Sequence, residues 1–129
     1  MQYTKLKKSN FDIGIIGLGY VGLPLAVEFS KQFKVTGFDI NSVRISELKK
    51  GIDHTNELDP ADISQLMTCN LTDNSNDLKN CNVYVVTVPT PVDEFKVPDL
   101  NPLKQASKLI GKCLKKDNLV ISVTFGDIR

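Results

Sequence analysis

The residues best placed to do chemistry in this chain are six in a row, Gly17-Leu18-Gly19-Tyr20-Val21-Gly22. They have G-x-G-x-x-G spacing and lie between an apolar run and a helical pattern. In that context each glycine has a mechanical task. Gly17 permits a tight turn, Gly19 lets the backbone approach a pyrophosphate, and Gly22 lets the next helix pack close to the strand. The start of that helix adds free N–H groups and the positive end of its dipole. Glycine-rich turns also occur without a ligand, so the context matters. Asp39 ends the second predicted strand, about twenty residues on, where this fingerprint expects an acid. With Ile40 beside it, its carboxylate would accept from both hydroxyls of an adenosine ribose and repel a 2′-phosphate. The combined pattern predicts NAD in preference to NADP. The alternative is that Asp39 only caps the following helix.

Other candidates have two readings each. Arg44 falls early in the second predicted helix. It either reaches back over the adenine, the ribose or a 2′-phosphate, or is a solvated helix arginine. Thr87-Val88-Pro89-Thr90-Pro91 follows the strongest strand pattern. Ligands of open α/β sheets bind beyond the carboxyl ends of the strands. That puts Pro89 and Thr90 on the cofactor side, unless the prolines only stiffen a connection. His54 stands in a polar loop, without a second histidine to complete a metal site. Cys69, Cys81 and Cys113 lack metal spacing and a neighbouring base, so neither a metal site nor a catalytic thiol is expected. Lys104, Lys108, Lys112, Lys115 and Lys116 make a late helix basic, without the aromatics that would suggest nucleic acid.

These residues need elements to hold them. Asp12–Ile16 reads as a strand buried on both faces. Val21–Lys31 reads as a helix, with Pro24 tolerated in its first turn. Phe33–Asp39 is a second strand. Asn41 or Ser42 caps a second helix that stops at Gly51. Residues 52–58 form a loop. Asp59-Pro60 opens a short helix with Ile63, Leu66 and Met67 inward. A weak strand is expected at Asn70–Thr72, then a turn-rich stretch with about one helical turn. Asn82–Val88 is the clearest strand, a β-branched run suited to the interior of a parallel sheet. Residues 89–100 form a stiff loop. Asn101-Pro102 opens a helix with Leu103, Ala106, Ile110 and Leu114 on one face, and Leu119–Val123 is a last strand. Alternating strands and helices imply an α/β fold with a doubly wound, mainly parallel sheet, a Rossmann-like domain.

Size and composition bound the rest. The 129 residues suffice for one domain, here 11–129, behind a polar lead-in at 1–10. The 41% apolar content includes no run of membrane-spanning length, and the lysines of the first ten residues precede no apolar signal region. With 24% charged residues and a net charge of +1, a strongly electrostatic nucleic-acid binder is not expected. Three cysteines suggest a reducing, cytoplasmic compartment.

Several segments together, GLGYVGLPLA, FDIN with Arg44, GIDHTNELDP and VTVPTPVDE, resemble the N-terminus of the UDP-glucose/GDP-mannose dehydrogenases. The likeness runs from about Asp12 to Ile121 and is nearest to the branch acting on UDP-N-acetylhexosamines. It implies an oxidation of the sugar C6 alcohol to a carboxylate, with two hydride transfers to NAD and a cysteine thioester between them. It implies that Gly17, Gly19, Tyr20, Val21 and Gly22 bind the pyrophosphate, that Asp39 and Arg44 serve the adenosine ribose, and that Thr90 lies toward the nicotinamide. Members of the family are several times longer and hold their catalytic cysteine, lysine, asparagine, dimerising helix and sugar-nucleotide domain further on. The tail from Ser122 to Arg129 departs from their pattern. The expectation is a product truncated relative to the family, as a frameshift would leave, that binds NAD without turnover. The UDP-sugar would then be a partner of the full-length family only. The exposed edge of an incomplete sheet leaves self-association open. A rival reading is a stand-alone NAD-sensing regulatory module.

Overall fold

In the computed structural model, residues 11–123 are described. The lead-in at 1–10 and the tail beyond Val123 lie outside them. Five strands, β1 (Asp12–Ile16), β2 (Lys34–Phe38), β3 (Asn70–Thr72), β4 (Val83–Val86) and β5 (Leu119–Ser122), form one sheet in the order β3-β2-β1-β4-β5. Every pairing is parallel, with Ile13 level with Val35 on one side and Val83 on the other. The helices are α1 (Gly22–Ser30), α2 (Ser42–Lys49), α3 (Pro60–Leu66) and α4 (Asn101–Cys113), with a 3-10 turn at Ser75–Leu78. This is the doubly wound architecture that the alternation implied.

The two-residue period of the strands sorts the core into two layers. Ile13, Ile15, Val35 and Val85 face a cluster completed by Leu23, Ala26 and Val27 of α1, Ile45 and Leu48 of α2 and Leu66 of α3. Ile16, Phe38, Tyr84 and Val86 face the opposite cluster, closed by Ala106, Ile110 and Cys113 of α4 and Leu78 of the 3-10 turn. Tyr84 is wholly buried. Its hydroxyl lies 2.8 Å from the Leu78 carbonyl and 3.0 Å from that of Cys81, and burial pushes its pKa up to about 12.

Element boundaries differ from the sequence reading in small ways with local causes. β1 and β3 have the expected bounds, β2 loses one residue at each end, β5 ends one residue early, and β4 runs only from Val83 to Val86 instead of Asn82 to Val88. Met67 and Leu114 were expected inward, yet both are exposed. Each is the residue that ends its helix, and Leu114 has already turned to an extended backbone. Periodicity holds only while the helix continues. β5 pairs with β4 on one side, and its four residues are exposed.

Candidate cofactor site

Loops from β1, β2 and β4 meet the start of α4 at the carboxyl edge of the sheet. A cavity of about 660 Å³ opens there. This is where the strand order reverses, β1 being followed in sequence by β2 on one side and flanked by β4 on the other. Open α/β sheets bind ligands at that crevice. The cavity is within the ordinary size range for a small-molecule site.

Three glycines shape the turn beside it, each differently. Gly17 has φ +100°, a conformation L side chains rarely adopt, and its N–H donates to the Phe38 carbonyl at 2.9 Å. Gly22 admits no Cβ, since one would stand 1.7 Å from the Gly17 carbonyl oxygen and 2.4 Å from Thr87 Oγ1. The Thr87 hydroxyl lies 2.6 Å from that same carbonyl oxygen and ties β4 to the turn. Gly19 is the opposite case: a Cβ there would meet nothing within 4 Å. Its backbone borders open space on the cavity wall.

The start of α1 is left uncapped. Val21 occupies the N-cap position with helical dihedrals and no side-chain hydrogen bond. Among the described residues no protein group accepts from the amides of Gly19, Tyr20 or Val21. An uncapped helix start with unpaired amides suits a phosphate. The residues present therefore fit a dinucleotide: an open glycine, free donors, and a carboxylate on the facing loop.

That carboxylate is Asp39. Its Oδ2 accepts from the Leu18 N–H at 2.9 Å and its Oδ1 from the Asn41 N–H at 2.9 Å. Asp39 does not cap α2. Asn41 does, accepting from Val43 N and Arg44 N at 3.1 Å each. Each carboxylate oxygen has two lone pairs, so Asp39 retains acceptor capacity toward the cavity it lines.

The candidates divide by position. Gly17, Leu18, Gly19, Tyr20, Asp39, Ile40 and Pro89 line the cavity. Val21, Gly22, Arg44 and Thr90 do not line it, although each is within a few residues of the wall or bonded to it. Arg44 sits behind the glycine turn, with Nε and Nη2 donating to the Leu18 carbonyl at 3.1 and 2.8 Å. Sequence reasoning missed Gln105 and Leu109, which reach the cavity from α4, and the role of Thr87. The helical spacing of Gln105 and Leu109, one turn apart on the helix facing the glycine loop, was the available signal.

The remaining reactive residues stand elsewhere. His54 is exposed and paired with Glu47. Cys81 and Cys113 are buried in the α4 layer, and burial pushes the thiols of Cys69 and Cys81 up. None of the three cysteines lines the cavity. Among the described residues no cluster of three potential metal ligands occurs, and no helix is long and apolar enough to cross a membrane.

Comparison with known proteins agrees with this geometry. A sequence profile described as the UDP-glucose/GDP-mannose dehydrogenase family, NAD binding domain, matches residues 11–124. The chain belongs to that family. Its matched segment is the family's NAD-binding domain, and the fold is that of Rossmann-like dehydrogenases. It is 57% identical over 109 residues to a UDP-N-acetyl-D-glucosamine 6-dehydrogenase of Pseudomonas aeruginosa, covering 84% of this chain and 26% of that protein. Among solved structures, a UDP-D-ManNAc dehydrogenase from Pyrococcus horikoshii superposes with a TM-score of 0.78 at 32% identity, covering 87% of this chain and 28% of that one. An NDP-N-acetyl-D-galactosaminuronic acid dehydrogenase from Methanosarcina mazei also gives 0.78, at 26% identity over 92% of this chain and 28% of that one. The chain spans about a quarter of the length of the curated relatives it matches.

Proposed function

We propose that this chain is the NAD half-site of a UDP-N-acetylhexosamine 6-dehydrogenase, and that alone it binds NAD without turning over a sugar nucleotide. The observation that carries the proposal is the uncapped start of α1 beside open Gly19 and Asp39 on one cavity wall. NAD, when bound, supplies the hydride acceptor. The chain's own residues then do three things. The free amides of the glycine turn and of α1 hold the pyrophosphate. Asp39 holds the ribose hydroxyls and disfavours a 2′-phosphate. Ile40, Val88 and Leu109 exclude water from the bases. Identity to a UDP-N-acetyl-D-glucosamine 6-dehydrogenase supports the acetylated hexosamine branch. Absence of turnover is supported by the surroundings of the cavity, whose lining has neither a thiol nor an imidazole.

Calorimetric titration of the pure chain with NAD and NADP tests the binding. Saturable NAD binding is expected, with NADP weaker by about tenfold or more, a difference of about 1.4 kcal/mol. Equal affinities would remove the role given to Asp39. Absorbance of NADH after adding UDP-N-acetylglucosamine should stay flat. Sustained NADH formation would refute the inactive reading.

A further inference from the structure

We infer that Asp53, acting through Arg44, fixes the orientation of the Leu18–Gly19 peptide on which pyrophosphate binding depends. The inference rests on the NAD-binding reading for its purpose, but the linkage itself is geometric. Arg44 forks onto one acceptor, the Leu18 carbonyl, with Nε at 3.1 Å and Nη2 at 2.8 Å. Its third nitrogen, Nη1, reaches Asp53 Oδ1 at 3.3 Å. The Arg44 side chain is 14% exposed and that of Asp53 only 2%. This is therefore a sheltered pair rather than a solvated surface bridge, and removing either partner strands the other.

Asp53 is itself held fast. Its Oδ1 also accepts from the Thr55 N–H at 3.0 Å and the Thr55 hydroxyl at 2.6 Å. Its Oδ2 accepts from Glu57 N at 3.0 Å and Leu58 N at 3.3 Å. Four donors from the 53–58 loop thus aim the carboxylate before Arg44 meets it. The chain of contacts runs from that loop, through Arg44, to a backbone carbonyl 26 residues away from Arg44 in sequence.

Peptide planarity carries the effect across to the cavity. The Leu18 C=O and the Gly19 N–H belong to one rigid trans unit and point in opposite directions. Holding the carbonyl on Arg44 turns the Gly19 N–H away from Arg44. Gly19 lines the cavity and Arg44 does not. The buried Leu18 side chain anchors one end of that peptide, but Gly19 has no Cβ to fix the other, so the brace on the carbonyl helps decide which way the peptide faces. Asp39 secures the other end of Leu18 through its N–H. Asp53 and Arg44 are accordingly positioning residues for the Gly19 donor.

The test uses the full chain with Asp53→Asn, Arg44→Lys, Arg44→Met and the Asp53→Asn/Arg44→Met double variant. Calorimetry with ADP-ribose and NMR titration with adenosine separate pyrophosphate binding from base binding. Asp53→Asn is expected to weaken ADP-ribose about tenfold, Arg44→Met more, and Arg44→Lys to recover part of the loss. The double variant should be no weaker than Arg44→Met, because both act on one peptide. Adenosine affinity should stay within about twofold. The Gly19 amide resonance of the unliganded protein should move in Asp53→Asn. Undiminished ADP-ribose binding by folded Asp53→Asn, additive losses, or equal loss of adenosine would overturn the proposal. Should Arg44→Met fail to fold, Asp53→Asn and Arg44→Lys carry the test. If the wild type binds no ADP-ribose, the function proposed above falls. The Gly19 resonance still decides the brace: unmoved in Asp53→Asn, it refutes it.

Discussion

The starts of α1 and α2 lie at the same edge of one sheet, each directly after a strand, yet they are finished in opposite ways. Asn41 seals α2, its side chain accepting from two of the orphan amides of the first turn. Among the described residues nothing seals α1, whose N-cap residue Val21 has no side-chain acceptor. Orphan helix amides need partners, and a good cap contributes about 1 kcal/mol. Forgoing one is reasonable where a ligand takes its place. On the proposed function, the Asn41 cap serves stability and the open α1 start serves a guest. Substitutions at the two ends should therefore separate folding from binding.

The largest effect is expected at Gly22, where folding and binding coincide. A methyl there would overlap the Gly17 carbonyl and the Thr87 hydroxyl, neither at the end of a flexible side chain. Gly22→Ala must push α1 off the turn, and overpacking against backbone costs about 3 kcal/mol or more. Thermal unfolding should show a Tm lower by about 10 °C, or no cooperative transition. A variant melting like the wild type would mean that α1 does not seat against the turn as described.

Gly19→Ala comes next and should split the two properties. The added methyl meets no protein atom and φ there is not positive, so the fold should tolerate it, with Tm changing by about 2 °C or less. The same methyl occupies the space through which a pyrophosphate must approach the amides. NAD affinity should fall about thirtyfold or more by calorimetry. Loss of stability in step with affinity would erase the distinction between an open lip and a packed one.

How much of this was legible beforehand depends on the range of the interaction. The glycine turn, a cap at Asn41 or Ser42 and a helix start at Asp59-Pro60, where Asp59 accepts from Asp62 N, are each written within a few residues, and each was readable. Even the three-residue β3 could be placed. Arg44 could not. Its hydrogen bonds reach Leu18 and Asp53, 26 and 9 residues away, and no local pattern announces them. Thr87 shows the same limit. A threonine at the end of a β-branched strand looks like strand composition, and only the register of β4 against β1 brings its hydroxyl to the Gly17 carbonyl. Met67 and Leu114 failed for the converse reason, because a local period was extended one residue past the helix that generated it.

At the sealed end, Asn41→Ala should reverse the Gly19 result. Loss of the cap removes acceptors for Val43 N and Arg44 N, at a cost of about 1 kcal/mol. Tm should drop by about 3–5 °C while NAD affinity changes less than about threefold. A larger affinity loss would show that the Asn41 cap also serves the guest.

The smallest effect is one of pH, and it too belongs to the α2 side. Burial acts to push the Asp53 carboxyl up, but hydrogen bonds from Thr55 and Glu57 and the charge of Arg44 outweigh it, and its pKa is lowered. A carboxylate whose folded pKa is depressed binds fewer protons folded than unfolded. Its contribution to stability is complete above the ordinary carboxylate range. It drains away as pH falls below about 4, through that range toward the folded value. Wild-type Tm should thus decline on acidification across that interval. Asp53→Asn should start lower at pH 7 and decline less steeply, because the titrating group is gone. Parallel acid limbs for the two proteins would mean that Asp53 is not held as an ion. Arg44 would then brace the glycine turn with no anchored partner behind it.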